Sequence, residues 1–158
     1  MKKSHPFQVA VSWSGARQGT TQSYTSYSRE FTIQAEGKES LICSSDKMFR
    51  GEANLYNPED LFISTISSCH LLWYLHLCAD KKIEVISYQD KASGILQIHE
   101  DGSGQFLQVD LYPQVVITRE EDIMLALQLH EKAHEKCFIA NSVNFPVNCK
   151  PTVTHQLD

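Results

Sequence analysis

Two cysteines and a histidine-rich octet hold most of the reactive chemistry in this chain. Cys69 ends the run L-F-I-S-T-I-S-S-C, and Cys137 closes the segment HEKAHEKC at residues 130–137. A free cysteine is either a small buried hydrophobe or, beside a cation, a thiolate nucleophile. The octet offers a different chemistry. His130, Glu131 and His134 satisfy the H-E-x-x-H pattern, in which two imidazoles one helical turn apart hold zinc and the glutamate serves as general base.

On a helix, His130, His134 and Cys137 all fall within about 40° of Ile123, the apolar side. That placement suits a metal, and it equally suits a core-facing helix with hydrogen-bonded histidines. The zinc reading needs a third ligand, and after Cys137 only His155 and Asp158 remain as imidazole or carboxylate donors. With seven histidines in the chain, a chance match to three fixed positions is easily met. A packing role for His130 and His134 is therefore preferred to a zinc hydrolase, and no metal or cofactor is expected.

Cys69 has Ile66, Trp73 and His76 on its own helical face, so burial alone would raise its pKa and leave it inert. Reactivity would require a nearby cation, for which Arg50 in the preceding loop is a candidate. His70 points about 100° away and His76 lies two turns off, so neither forms a local Cys-His dyad. His134 is a better neighbour for Cys137. Cys43 and Cys149 sit in strand-like contexts and read as packing residues, and Cys78 faces away from Cys69.

The elements that must position these residues are legible in outline. Alternation marks strands at 7–13 and 27–35, a short apolar piece follows at 41–43, and a polar loop carries Arg50 and Gly51. Asn57-Pro58-Glu59-Asp60 is a strong helix start, with a capping amide, proline in the first turn and acids at the positive end of the dipole. The helix should run to about Ala79 and, being apolar around most of its circumference, should lie in the core rather than span a membrane. Strand-like runs at 83–99 and 105–118 flank a turn at 100–104, and Pro113 implies an edge, a bulge or a break. A second helix over 120–137 and a last strand over 146–156 complete an α+β pattern.

The 158 residues suit one domain, 1–158. A net charge of −5 argues against nucleic-acid and polybasic membrane partners. Lys2 and Lys3 precede no apolar run, so no secretory signal is expected. Five cysteines without a C-x-x-C pair suggest reduced thiols in the cytoplasm.

N-P-E-D-L at 57–61, the small and apolar run ending at Cys69, and A-H-E-K-C at 133–137 together resemble the OsmC/Ohr family of thiol peroxidases. The resemblance covers nearly the whole chain, and the C-F-I-A-N-S-V-N-F-P tract at 137–146, together with C-H-L-L-W-Y-L at 69–75, resembles an OsmC-like branch distinct from typical Ohr proteins. It implies an OsmC-like fold of curved antiparallel sheets with two main helices, assembled as an intertwined homodimer. It also implies reduction of organic hydroperoxides, and possibly hydrogen peroxide. Cys69 would be the peroxidatic thiol, Cys137 the resolving thiol that closes a disulfide with it, and a lipoylated or thioredoxin-like dithiol the reductant.

Glu59 matches the glutamate that orients the family's catalytic arginine. Arg50 is the preferred arginine, with Arg17 and Arg29 as alternatives. Two positions depart from the pattern: Phe138 follows Cys137 where many Ohr members have proline, and His70 follows Cys69 where an aromatic or small residue is common. The rival readings are a non-catalytic OsmC-like protein binding a small apolar ligand, and the zinc hydrolase.

Overall fold

A computed structural model describes residues 3–156 of the chain. Lys2 and Asp158, and the side chain of Arg17, lie outside the described residues. The chain divides into two compact units, Met1–Leu61 and Phe62–Asp158.

In the first unit, β1 (Ala10–Trp13), β2 (Phe31–Gln34) and β3 (Leu41–Cys43) form an antiparallel meander. β1 is shorter than the alternation at 7–13 predicts and is exposed along its length, with Val11 64% accessible. A 3₁₀ turn at Gly15–Arg17 follows β1, and another at Lys47–Phe49 ends on Arg50.

Helix α1 (Pro58–Asp80) begins where the capping signals place it. The Asn57 side chain accepts the Asp60 amide N–H at 2.7 Å, and Leu61 N–H closes the first turn on the Asn57 carbonyl at 3.1 Å. Its C-terminal end has an unexpected geometry. Lys82 adopts φ 59° and donates to the Ala79 carbonyl, while Ile83 donates to that of Cys78, which together make a Schellman motif.

The expected burial of α1 needs correction. Only Ile66, His70, Tyr74 and Cys78 are buried, a single stripe with one residue per turn. Leu72 is 66% and Leu75 36% accessible. The helix is long and apolar enough to cross a membrane by length and composition. One face of it serves the core of this chain, flanked by the partly buried Phe62, Ile63, Trp73 and Leu77, while Leu72 and Leu75 stay exposed.

In the second unit a long bent hairpin supplies two sheets. β4 (Val85–Asp90) pairs antiparallel with β7 (Pro113–Ile117), and β5 (Ser93–Ile98) with β6 (Gly104–Leu111). The runs expected as single strands thus break at residues 91–92 and at Tyr112. Pro113 lacks an N–H and begins β7, the break its sequence position implied. The Asp90 carboxylate accepts the Tyr112 amide at 2.7 Å and holds the corner.

Helix α2 (Ile123–Lys136) follows a 3₁₀ turn at Glu120–Asp122. The last strand also divides, because Pro151 cannot donate to a ladder. β8 (Val147–Cys149) joins β6 and β9 (Thr152–His155) joins β7, both in parallel. The two sheets of this unit are therefore mixed, where antiparallel pairing was expected. Tyr74, Cys78, Ile83, Val115, Ile117, Ala126, Leu129 and Ala133 form one apolar cluster; Ile66, Val109 and Leu111 form a second.

Candidate functional site

Cys69 sits midway along α1, half-buried and one position off the buried stripe. Cys137 ends α2, where its extended backbone (ψ 110°) stops the helix and its amide donates to the His134 carbonyl. The chain then turns through Ala140–Ser142, and Asn141 N–H returns to the Cys137 carbonyl at 3.0 Å. This fold-back aims the Ala140 amide at Cys137 Sγ, 3.4 Å away.

Within the second unit the two thiols lie close enough for Cys69 to act on the Cys137 thiol. Burial, reinforced by the neighbouring Cys69 and partly opposed by the Ala140 and Ile139 amides, pushes the Cys137 thiol up to about 11. Cys137 is 1% accessible. It is therefore a protonated thiol at neutral pH. Phe138, 69% exposed, stacks edge-on against Trp73, and the Lys136 ammonium lies 5.6 Å from the Trp73 ring centre.

Arg50 and Glu59 belong to the first unit. Arg50 is exposed in the left-handed region, φ 67°, and makes no ion pair among the described residues. Its side chain and that of Arg29 line a cavity of about 200 Å³ with Gln18, Thr25 and Glu52. Arg29 is committed locally: its guanidinium donates to the Tyr24 and Tyr27 carbonyls and lies 4.0 Å from the Tyr27 ring centre. Glu59 stands in the first turn of α1, and its Oε2 is buried without a hydrogen-bond partner among the described residues. Such an oxygen calls for a donor, and a cation is the strongest one available to a carboxylate.

The histidine octet folds differently from a zinc-peptidase motif. His130 meets His70 of α1, with Nδ1 of His130 2.9 Å from Nε2 of His70. Cys149 Sγ lies 3.5 Å from the same His70 nitrogen. Tyr74 stacks on the His130 ring at 3.9 Å. Burial holds His130 neutral down to about 3, helped by the neighbouring His70 charge. Burial also lowers His70 to about 4, with His134 adding to the effect and Asp90 opposing it. Glu131 is exposed.

Sequence reading missed this pair because its partners stand 60 residues apart. The available signal was the spacing of His70 with Ile66, Tyr74 and Cys78, which marks it as a core residue. Cys149 likewise does more than pack, since it joins the imidazoles.

The OsmC-like protein family model matches residues 51–152, a stretch that crosses the boundary between the two compact units. The chain belongs to the OsmC-like family. Its fold is shared with an OsmC-like protein of unknown function from Vibrio cholerae, at 29% identity over 94% of this chain and 100% of that one, with a TM-score of 0.83. An organic hydroperoxide resistance protein from Elizabethkingia anophelis is 20% identical over 99% of this chain and 100% of that one, TM-score 0.69. One from Legionella pneumophila is 19% identical over 97% and 99%, TM-score 0.66. At these last two identities the likeness is one of fold. No protein of curated function matches the sequence significantly.

Proposed function

We propose that this OsmC-like protein is a thiol-dependent peroxidase that reduces organic hydroperoxides, and that Cys69 and Cys137 carry the reaction. The observation that supports it most is the proximity of these two thiols, which stand on different helices. Cys69, as thiolate, attacks the terminal oxygen of the hydroperoxide. The O–O bond breaks, the leaving alkoxide takes a proton and departs as alcohol, and Cys69 becomes a sulfenic acid. The Cys137 sulfur then forms the S–S bond while water leaves. An external dithiol, lipoylated or thioredoxin-like, returns two electrons and two protons.

We assign to Arg50 the positive charge that favours the thiolate and the developing alkoxide, and to Glu59 the positioning of that guanidinium. The orphaned Glu59 oxygen supports that pairing. A homodimer acting in the cytoplasm completes the reading. The uncovered apolar residues of α1 support the dimer, and five free cysteines suit a reducing compartment.

The test is consumption of cumene hydroperoxide by the reduced protein, with dihydrolipoamide as electron donor. One equivalent of peroxide should convert the two thiols into one Cys69–Cys137 disulfide, seen by mass spectrometry of digested protein. A Cys69→Ser variant that still consumed peroxide at the wild-type rate would overturn the assignment. Sedimentation velocity decides the dimer.

A further inference from the structure

We propose that His70, His130 and Cys149 form a binding site for a zinc-class divalent cation, separate from the Cys69–Cys137 pair. The inference does not rest on the peroxidase reading.

The donors come from three elements, α1, α2 and β8, which converge in the second unit. One ligand atom from each residue lies within 4.8 Å of the others. Both imidazoles are almost fully buried, and Cys149 is half-buried. A tetrahedral zinc with ordinary Zn–N and Zn–S lengths sets its nitrogens roughly 3.4 Å apart and its sulfur roughly 3.6 Å from each nitrogen. The sulfur lies 3.5 Å from His70 Nε2, that nitrogen lies 2.9 Å from His130 Nδ1, and the sulfur and His130 Nδ1 are within 4.8 Å. Loading the site then asks the two rings to part by about half an ångström.

Donor type narrows the ion. Two imidazoles and a thiolate exclude magnesium and calcium, which take oxygen, and suit zinc. Charge fits as well. Zinc with one thiolate leaves one positive charge, and the Asp90 carboxylate is close enough to act electrostatically on both His70 and Cys149. Asp90 is itself fixed by Ser67 Oγ at 2.6 Å and the Tyr112 amide. On binding, the Cys149 S–H proton leaves to solvent and the S–Zn bond forms. A solvent water takes the fourth position.

A metal here would tie α1 to α2 one residue from Cys69 and seven from Cys137, using only the first histidine of the H-E-x-x-H run.

The test uses the full chain, reduced and freed of metal by a chelator, then equilibrated with Zn²⁺ or Co²⁺ and separated from unbound ion. Close to one zinc per chain is expected. The cobalt form should show tetrahedral d–d bands and a near-ultraviolet thiolate-to-cobalt band. Cys149→Ser should remove the thiolate band and weaken binding at least about tenfold. The Cys69→Ser/Cys137→Ser double variant should keep both signals. His130→Gln should also lose binding; should it fail to fold, the conservative Cys149→Ser carries the decision. Absence of stoichiometric metal in wild type overturns the proposal. So does full binding in Cys149→Ser, or loss of binding in the double variant.

Discussion

The Ala140 amide points at Cys137 Sγ from 3.4 Å, while burial and the neighbouring Cys69 hold that same thiol up to about 11. The amide favours the thiolate, and the larger burial effect opposes it. Below pH 11 the thiolate is the minor form of Cys137, and its fraction rises about tenfold per pH unit. If the Cys137 thiolate attacks the Cys69 sulfenic acid, disulfide closure should accelerate by nearly that factor per unit between pH 7 and 9. Stopped-flow mixing with one equivalent of peroxide measures the closure step. A flat rate across that range would mean that Cys137 does not titrate in the step.

Replacing Cys137 with Ser separates the two halves of the reaction. The first turnover with cumene hydroperoxide should survive, because Cys69 supplies the attacking sulfur. Steady turnover should fall on the order of 10²-fold with dihydrolipoamide, as the sulfenic acid accumulates instead of closing. A sulfenic-acid probe should then label Cys69 stoichiometrically. An unchanged steady rate would remove Cys137 from the resolving role.

The N-terminus of α1 stands on one side chain. Asn57 Oδ1 satisfies the Asp60 amide and is almost wholly buried in doing so. Asn57→Ala should cost about 1 kcal/mol of unfolding free energy, and Asn57→Asp should recover most of it. Urea denaturation of the three proteins checks the order. Equal midpoints for Asn57→Ala and wild type would show that the cap contributes nothing.

Local signals carried well from sequence to structure, and non-local ones did not. Asn57 and Pro58 start α1 because cap and proline act within one turn, and Pro113 breaks its strand for the same reason. Lys82 has no such mark: a lysine in the left-handed region is set by the Schellman hydrogen bonds around it. The burial of α1 was misjudged because apolar composition tells how much surface seeks cover, not which chain supplies it. Leu72 and Leu75 are apolar and uncovered, while His70 on the same helix is buried. His70 meets His130 only through tertiary packing, which no spacing reveals. Cys69 and Cys137 came together through family resemblance, and no periodicity of their own pointed to each other.

Arg50 offers a way to tell a functional residue from a structural one. It holds φ 67° at the end of the Lys47–Phe49 turn, donating its amide to the Lys47 carbonyl at 3.0 Å. A non-glycine residue is strained there, by about 1 kcal/mol or somewhat more. Arg50→Gly should therefore leave stability unchanged or raise it by up to about 1 kcal/mol. If Arg50 supplies the charge assigned to it, peroxidase kcat/KM should fall on the order of 10²-fold in that stable protein. The neighbouring Gly51 behaves oppositely. A Cβ at Gly51 would lie 1.6 Å from the Ser45 carbonyl oxygen, so Gly51→Ala must displace the loop. It should lose about 1–3 kcal/mol of stability. Thermal melts and peroxide kinetics on both variants decide the matter. An Arg50→Gly protein with full activity would clear Arg50 of any catalytic part, whatever happens at Gly51.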